Sequence, residues 1–151
     1  MLSEKDHKYL EFASYGGKLF STCGRRQYMA IVLGRDGRIV GTGYNGAPPG
    51  MRHCTEGGCP RFLEQQEGAG HGTGYDNCVA IHAEQNALLY SDRAARAGGT
   101  LYVNGPPCFG CAKEIANSGL RRVVFQSDPA YADIDRVMHF LQEAGIKVVA
   151  S

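Results

Sequence analysis

The sequence predicts an α/β fold in one domain, residues 1–151, with a central mixed sheet of about five strands flanked by helices. Two observations carry that expectation. In the first half, two apolar runs joined by a glycine-bearing turn read as an antiparallel hairpin. In the second half, helical and strand patterns alternate, as parallel strands with crossover connections require. A chain of 151 residues with 43% hydrophobic composition can bury a core of its own.

From the N-terminus, Tyr9, Leu10, Phe12, Ala13, Leu19 and Phe20 recur at roughly helical spacing, and Gly16-Gly17 predicts an interruption in the later part of that helix. The hairpin follows: Met29 to Leu33, the turn Gly34-Arg35-Asp36-Gly37, then Arg38 to Gly43. From Tyr44 to Asn77 glycine, proline, cysteine and histidine dominate. A stretch of that length without periodicity needs an anchor such as a bound metal. A helix then begins near Ile81, a strand covers Thr100 to Val103, a helix starts at about Cys108, and a strand covers Arg121 to Phe125. A helix from about Asp133 to Ala144 and a short strand at Ile146 to Val149 complete the alternation.

Charge and hydropathy narrow the function. The formal charge of +1, from 16 basic and 15 acidic residues, offers no footprint for a long polyanion, whereas a small anionic ligand needs only a few basic groups. No stretch approaches the ~18 uninterrupted apolar residues of a membrane span. The segment Met1 to Asp6 lacks the basic and apolar runs of a secretion signal, so a cytoplasmic protein with no membrane partner is expected. In that reducing setting the six cysteines are expected as thiolates on metal rather than as disulfides.

The chemistry concentrates in His82-Ala83-Glu84 and Pro107-Cys108-Phe109-Gly110-Cys111. His82, Cys108 and Cys111 are zinc-type ligands, and Glu84 is a carboxylate that need not bind. Three such ligands leave tetrahedral zinc one open position for water, whereas a closed structural site takes four protein ligands. His82 and Glu84 fall at the start of one predicted helix, and Cys108 and Cys111 in the first turn of another, three residues apart and able to face together. Amide N–H groups at a helix start favour negative charge and so help both thiols ionise. A glutamate two residues beyond the ligand histidine can take a proton from water and return it to a substrate nitrogen, the shuttle that hydrolytic loss of ammonia requires. The bland alternatives are a buried helix histidine beside a surface glutamate, and a Cys-x-x-Cys from a purely structural zinc knot. Neither accounts for all four positions in this order.

This His-x-Glu with a later Pro-Cys-x-x-Cys resembles the zinc-dependent cytidine deaminase superfamily. Within it, Ser21-Thr22-Cys23-Gly24-Arg25, Gly43-Tyr44-Asn45-Gly46-Ala47-Pro48, His53-Cys54, Glu56-Gly57-Gly58-Cys59 and Asn77-Cys78 resemble successive blocks of deoxycytidylate (dCMP) deaminases and the related late-competence proteins, from about Ser21 to Val124. The resemblance implies a three-layer cytidine-deaminase-like fold, a catalytic zinc on His82, Cys108 and Cys111, and Glu84 as the proton carrier. The implied reaction is hydrolysis of dCMP to dUMP and ammonia. By the same resemblance Asn45 meets the substrate sugar, Arg25 and Arg26 the phosphate, and Tyr131 the base or sugar, with Ala83 also contacting substrate. A second, structural zinc is implied too, preferably on Cys23, Cys54, Cys59 and Cys78, with His53 or His71 able to replace one of them. Relatives assemble as homo-oligomers, a hexamer or a dimer, and can be activated by dCTP and inhibited by dTTP.

Several roles have a plainer counterpart. Asn45 before Gly46 suits a tight turn, the arginine pair suits a solvated surface, Tyr131 suits a core or interface, and the four cysteines suit buried free thiols. Three departures from the family pattern bear on the substrate. Met29 stands where a small glycine is usual and would thicken the pocket wall. Gln85 follows Glu84 where a small residue is common, and the segment between Cys78 and His82 is one residue short. These leave deamination in place but leave open 5-modified dCMP, CMP, dCTP or another cytosine compound as substrate. Two separate rivals are a deaminase acting on a base in RNA or single-stranded DNA, against which the near-neutral charge argues, and a non-catalytic nucleotide-binding zinc module, against which the intact Glu84 argues.

Overall fold

The first helix, α1 (Glu4–Phe20), begins at a reciprocal cap in which the Asp6 N–H donates to Ser3 Oγ at 3.2 Å and the Ser3 N–H donates to Asp6 Oδ2 at 2.8 Å. The computed structural model, which describes residues 1–68 and 77–151, carries α1 without a break through Gly16 and Gly17. The expected interruption is therefore absent, and the reason is packing. A Cβ on Gly16 would lie 2.1 Å from the Met29 sulfur, and one on Gly17 would lie 2.3 Å from the Gln27 carbonyl oxygen. The two glycines let the helix lie against the sheet, and that contact offsets the ~1 kcal/mol of helix propensity that each glycine forgoes.

Five strands form one mixed sheet: β1 (Met29–Leu33), β2 (Ile39–Tyr44), β3 (Thr100–Val103), β4 (Arg122–Phe125) and β5 (Lys147–Ala150), in the order β2-β1-β3-β4-β5. β1 pairs antiparallel with both β2 and β3, while β3, β4 and β5 run parallel. The parallel connections pass through α5 (Phe109–Ala116) and α6 (Ile134–Glu143), each near the range expected. Two further short helices carry no readable periodicity: α2 (Pro60–Gln66) lies within the glycine-rich 44–77 stretch, and α4 (Arg93–Arg96) has only four residues. Among the described residues no helix is long and apolar enough to cross a membrane.

The sheet separates two buried clusters, giving three layers. Leu10 and Ala13 of α1 pack on Met29, Ile31, Leu33, Tyr102 and Val124. On the opposite face, α3 (Ala83–Leu89), α5 and α6 contribute Ala83, Ala87, Ile115 and Leu141 against Ala30, Val32, Leu101 and Phe125. All of β1 is buried because helices cover both its faces, and its side chains alternate between the two clusters. Met29 belongs to the α1 side, where it fills the notch left by Gly16. It does not thicken a pocket wall as its departure from the family pattern suggested.

One polar cluster ties α1 to the sheet. Asp6, 1% exposed, accepts from Arg122 Nη1 and Nη2, both at 2.8 Å, and from the Tyr102 hydroxyl at 2.8 Å. The Arg122 guanidinium holds the Asp6 carboxyl well below the usual carboxylate range, against the opposing effect of burial. A depressed folded value stabilises the protein above the unfolded-state value of about 3.9, and the contribution disappears as pH falls from there towards the folded value. Asp6→Asn is expected to lower stability at pH 7 by about 2–3 kcal/mol, less than a wholly buried pair because the Arg122 side chain keeps 25% exposure. Denaturant titration should show that deficit shrinking below about pH 4; an equal deficit at pH 3 and pH 7 would contradict the ionic origin.

Candidate active site

Helix α3 is placed by strand β2 and the residues that follow it. Gly46 and Ile81 exchange backbone hydrogen bonds of 3.2 and 2.8 Å, which seats the chain entering α3 beside Asn45. A Cβ on Gly43 would lie 2.3 Å from the Ala87 nitrogen, so the helix rests directly on the β2 backbone. His82 then occupies the N-cap of α3 and Glu84 its first turn. Gln85 completes the start: its Oε1 accepts the His82 N–H at 2.9 Å, and its Nε2 donates to Glu114 Oε1 on α5 at 3.0 Å. The departure at Gln85 is thus a cap and a cross-link between two helices rather than a change in the pocket lining.

The second helix start brings the sulfurs. Cys108 is the N-cap of α5, and its Sγ accepts the Cys111 N–H at 3.4 Å. His82 Nδ1 lies 3.5 Å from Cys108 Sγ and 3.3 Å from Cys111 Sγ, and the three ligand atoms all lie within 4.8 Å of one another. Zinc bonds of about 2.3 Å to sulfur and about 2.0–2.1 Å to nitrogen, at the tetrahedral angle, place S and N about 3.6 Å apart. The donor set and its spacing fit zinc with one position left for a small ligand.

The electrostatics of the cluster suit a cation. The contact with Cys111 holds the Cys108 thiol down at about 4, and the same contact with burial pushes the Cys111 thiol up, which favours a thiolate at Cys108 and a retained proton at Cys111. A dication in place of that proton lets both act as thiolates. His82 is raised, chiefly through Cys108. Glu84 is 2% exposed, and burial lifts its carboxyl to about 7, only partly opposed by its own backbone N–H and by His82. That is the range in which a carboxyl both takes and returns protons near neutrality.

Above these groups opens a cavity of about 340 Å³. His82, Ala83, Glu84 and Cys108 line it together with Arg25, Arg26, Asn45 and Tyr131, so every catalytic and substrate-contacting residue expected from the sequence reaches it. Asn45 braces the loop before β1: its Oδ1 accepts the Tyr28 N–H at 2.9 Å and the Ser21 hydroxyl, while its Nδ2 donates to the Arg26 carbonyl at 2.6 Å. Arg26 Nη1 donates to the Tyr28 hydroxyl at 3.0 Å and to Asp128 Oδ2 at 2.8 Å. Tyr28, Arg61 and Phe62 also line the cavity and were not singled out from the sequence. Tyr28 directly precedes β1, which is the only available hint; Arg61 and Phe62 sit on α2, whose position no local pattern reveals.

Cys23, Cys54, Cys59 and Cys78 gather along the same cavity. Cys59 and Cys78 sulfurs are 3.9 Å apart, and Cys54 Sγ accepts the Gly24 N–H at 3.3 Å. Among the described residues no three of these sulfurs approach as closely as the His82 cluster does. Beside them His53 Nδ1 is buried with no hydrogen-bond partner among the described residues. His71 lies outside the described residues.

A family model for the cytidine and deoxycytidylate deaminase zinc-binding region matches residues 3–127. Deoxycytidylate deaminase of Mycobacterium phage D29 is 46% identical over 110 residues, covering 72% of this chain and 84% of the relative. The Schizosaccharomyces pombe enzyme of that name is 37% identical over 145 residues, 95% of this chain but 42% of that longer protein. A crystal structure of the dCMP deaminase from cyanophage S-TIM5, in complex with dCMP and dUMP, superposes with a TM-score of 0.72 at 27% identity and covers 100% of this chain and 99% of that one. With the matched region spanning the His82 cluster, Glu84 and the sheet that carries them, the chain belongs to the cytidine and deoxycytidylate deaminase family.

Proposed function

We propose that this protein hydrolyses dCMP to dUMP and ammonia, with Glu84 as the proton carrier. The observation that carries the reading is a buried carboxyl beside three zinc-type ligands, in a cavity whose lining also includes two arginines. His82, Cys108 and Cys111 would hold zinc, which when bound would supply the Lewis acidity that makes water nucleophilic near neutral pH. Glu84 accepts the proton released by that water and delivers one to the ring nitrogen N3, which leaves C4 open to oxygen attack. It then takes the proton of the new C4 hydroxyl and hands it to the exocyclic nitrogen, so that the C4–N bond breaks, the C4 carbonyl forms and ammonia departs. The low exposure of Glu84 keeps these transfers away from bulk water. Of the two Asn45 amide hydrogens one is donated to Arg26, and the second suits a sugar hydroxyl. Arg25 and Arg26 suit the phosphate, since a guanidinium presents a fixed fork of donors. Tyr131 and Ala83 complete the substrate contacts.

A second zinc, on ligands drawn from Cys23, Cys54, Cys59 and Cys78, would anchor the segment that carries Arg61 and Phe62. His53 Nδ1, buried with no hydrogen-bond partner among the described residues, supports a metal in that region and makes His53 a candidate for one position. Self-association is supported by exposed Phe12, Tyr15, Leu19 and Phe20 along α1.

Ammonia release from zinc-replete protein is expected to be highest with dCMP among dCMP, CMP, dCTP, 5-methyl-dCMP, cytidine and a cytosine-containing single-stranded DNA. In the same assay Arg26→Ala should raise KM for dCMP by about 10-fold or more with kcat little changed. A flat response to that variant would remove Arg26 from the phosphate site. Glu84→Gln should retain bound zinc, measured by atomic absorption, while kcat falls by about 10³-fold; substantial turnover in zinc-replete variant would exclude the shuttle. Metal analysis should also find two zinc ions per chain, falling to one in Cys59→Ala/Cys78→Ala. One ion in the unaltered protein would leave the four cysteines as free thiols.

A further inference from the structure

Asp128 follows β4 and makes three contacts that no local sequence pattern announces. Its Oδ2 accepts Arg26 Nη1 at 2.8 Å, its Oδ1 accepts the Ala130 N–H at 2.9 Å, and its carbonyl oxygen accepts the Tyr131 N–H at 3.0 Å. Ala130 and Tyr131 line the cavity, as does Arg26. On the other side, Arg26 Nη1 also donates to the Tyr28 hydroxyl at 3.0 Å. The Tyr28 ring is itself seated on Gly105, where a Cβ would come within 2.3 Å of the ring. A chain of contacts therefore runs from the β3–α5 loop through Tyr28, Arg26 and Asp128 to the turn before α6.

The exposure of this pair indicates what it does. The Arg26 and Asp128 side chains retain 42% and 27% of their exposure, so their ion pair contributes little to folding stability. Its consequence is orientation. Among the described residues both hydrogen bonds of the guanidinium use Nη1, and a guanidinium carries five N–H donors, so the rest of the fork remains for an anion. An arginine already held in one geometry gives up less rotamer freedom when it binds that anion.

We propose that Asp128 is a positioning residue for the nucleotide phosphate: it orients Arg26 with one carboxylate oxygen and fixes the Ala130–Tyr131 turn with its other oxygen and its carbonyl. This rests on the phosphate role proposed for Arg26. A residue acting in this way affects substrate capture more than the chemical step.

The test is a double-mutant cycle on dCMP turnover. Asp128→Ala should raise KM by about 10-fold with kcat within about twofold, because only ground-state capture is loosened. Asp128→Asn, which keeps an oxygen for the Ala130 N–H but loses the charge, should give an intermediate KM, and Asp128→Glu should recover part of the loss. In an Arg26→Ala background, Asp128→Ala should add clearly less than its effect in the unaltered protein, since the part that passes through the arginine is already lost and only the part from the turn remains. A lowered KM would mean that Asp128 masks the arginine, and an undiminished effect in the Arg26→Ala background would mean that it acts on the turn alone; either result overturns the proposal. The Arg26→Ala arm separates the two readings: no change in KM there removes the phosphate role itself.

Discussion

Two helix starts aimed at one point are electrostatically unfavourable unless anions lie between them. Each N-terminus carries roughly half a positive charge, and a zinc ion adds two more. The starts of α3 and α5 meet in this way, and the anions that make it tolerable are the sulfurs of Cys108 and Cys111 and the carboxyl of Glu84. Much of the surrounding architecture holds that convergence in place. Gly43 lets α3 rest on β2, the Gly46–Ile81 bridge sets its entry, and Gln85 ties its cap to Glu114 on α5.

The buried state of Glu84 follows from this arrangement. A carboxyl with 2% exposure would ordinarily be a liability, since burial favours the neutral form and raises its value to about 7 here. Its neighbours turn that into usable chemistry: a helix start, an imidazole and a metal position favour the charged form, while burial favours the neutral one. The carboxyl is balanced between them and can carry a proton in either direction. The same packing that forms the core, Ala83 and Ala87 against Ala30 and Val32, seats the helix turn that carries it.

Strand β1 divides the labour of the fold. One of its faces binds α1 through Met29, Ile31 and Leu33, and the other supports α3 through Ala30 and Val32. Substitution on the first face, such as the methionine at position 29, is absorbed by Gly16 and leaves the cavity unaltered. The cavity instead takes its lining from what precedes β1 and follows β2: Arg25, Arg26 and Tyr28 on one side and Asn45 on the other, joined by the Asn45 amide.

By itself the sequence determined the local part of this protein. The ligand types and spacings of His82, Glu84, Cys108 and Cys111, their position at helix starts, the hairpin and the alternation of strands and helices were legible, because each depends on residues a few positions apart. What needed the tertiary structure were contacts between distant segments. The Gly16-Gly17 pair predicts a broken helix until Met29 is seen beside it, and Met29 suggests a thicker pocket wall until the strand's facing is known. Tyr28, Arg61 and Asp128 join the site only through folding, from a strand entry, a seven-residue helix and a loop that carry no motif. Periodicity reports which face of an element is apolar; which element covers that face, and which polar groups then meet around a cavity, is decided by long-range packing.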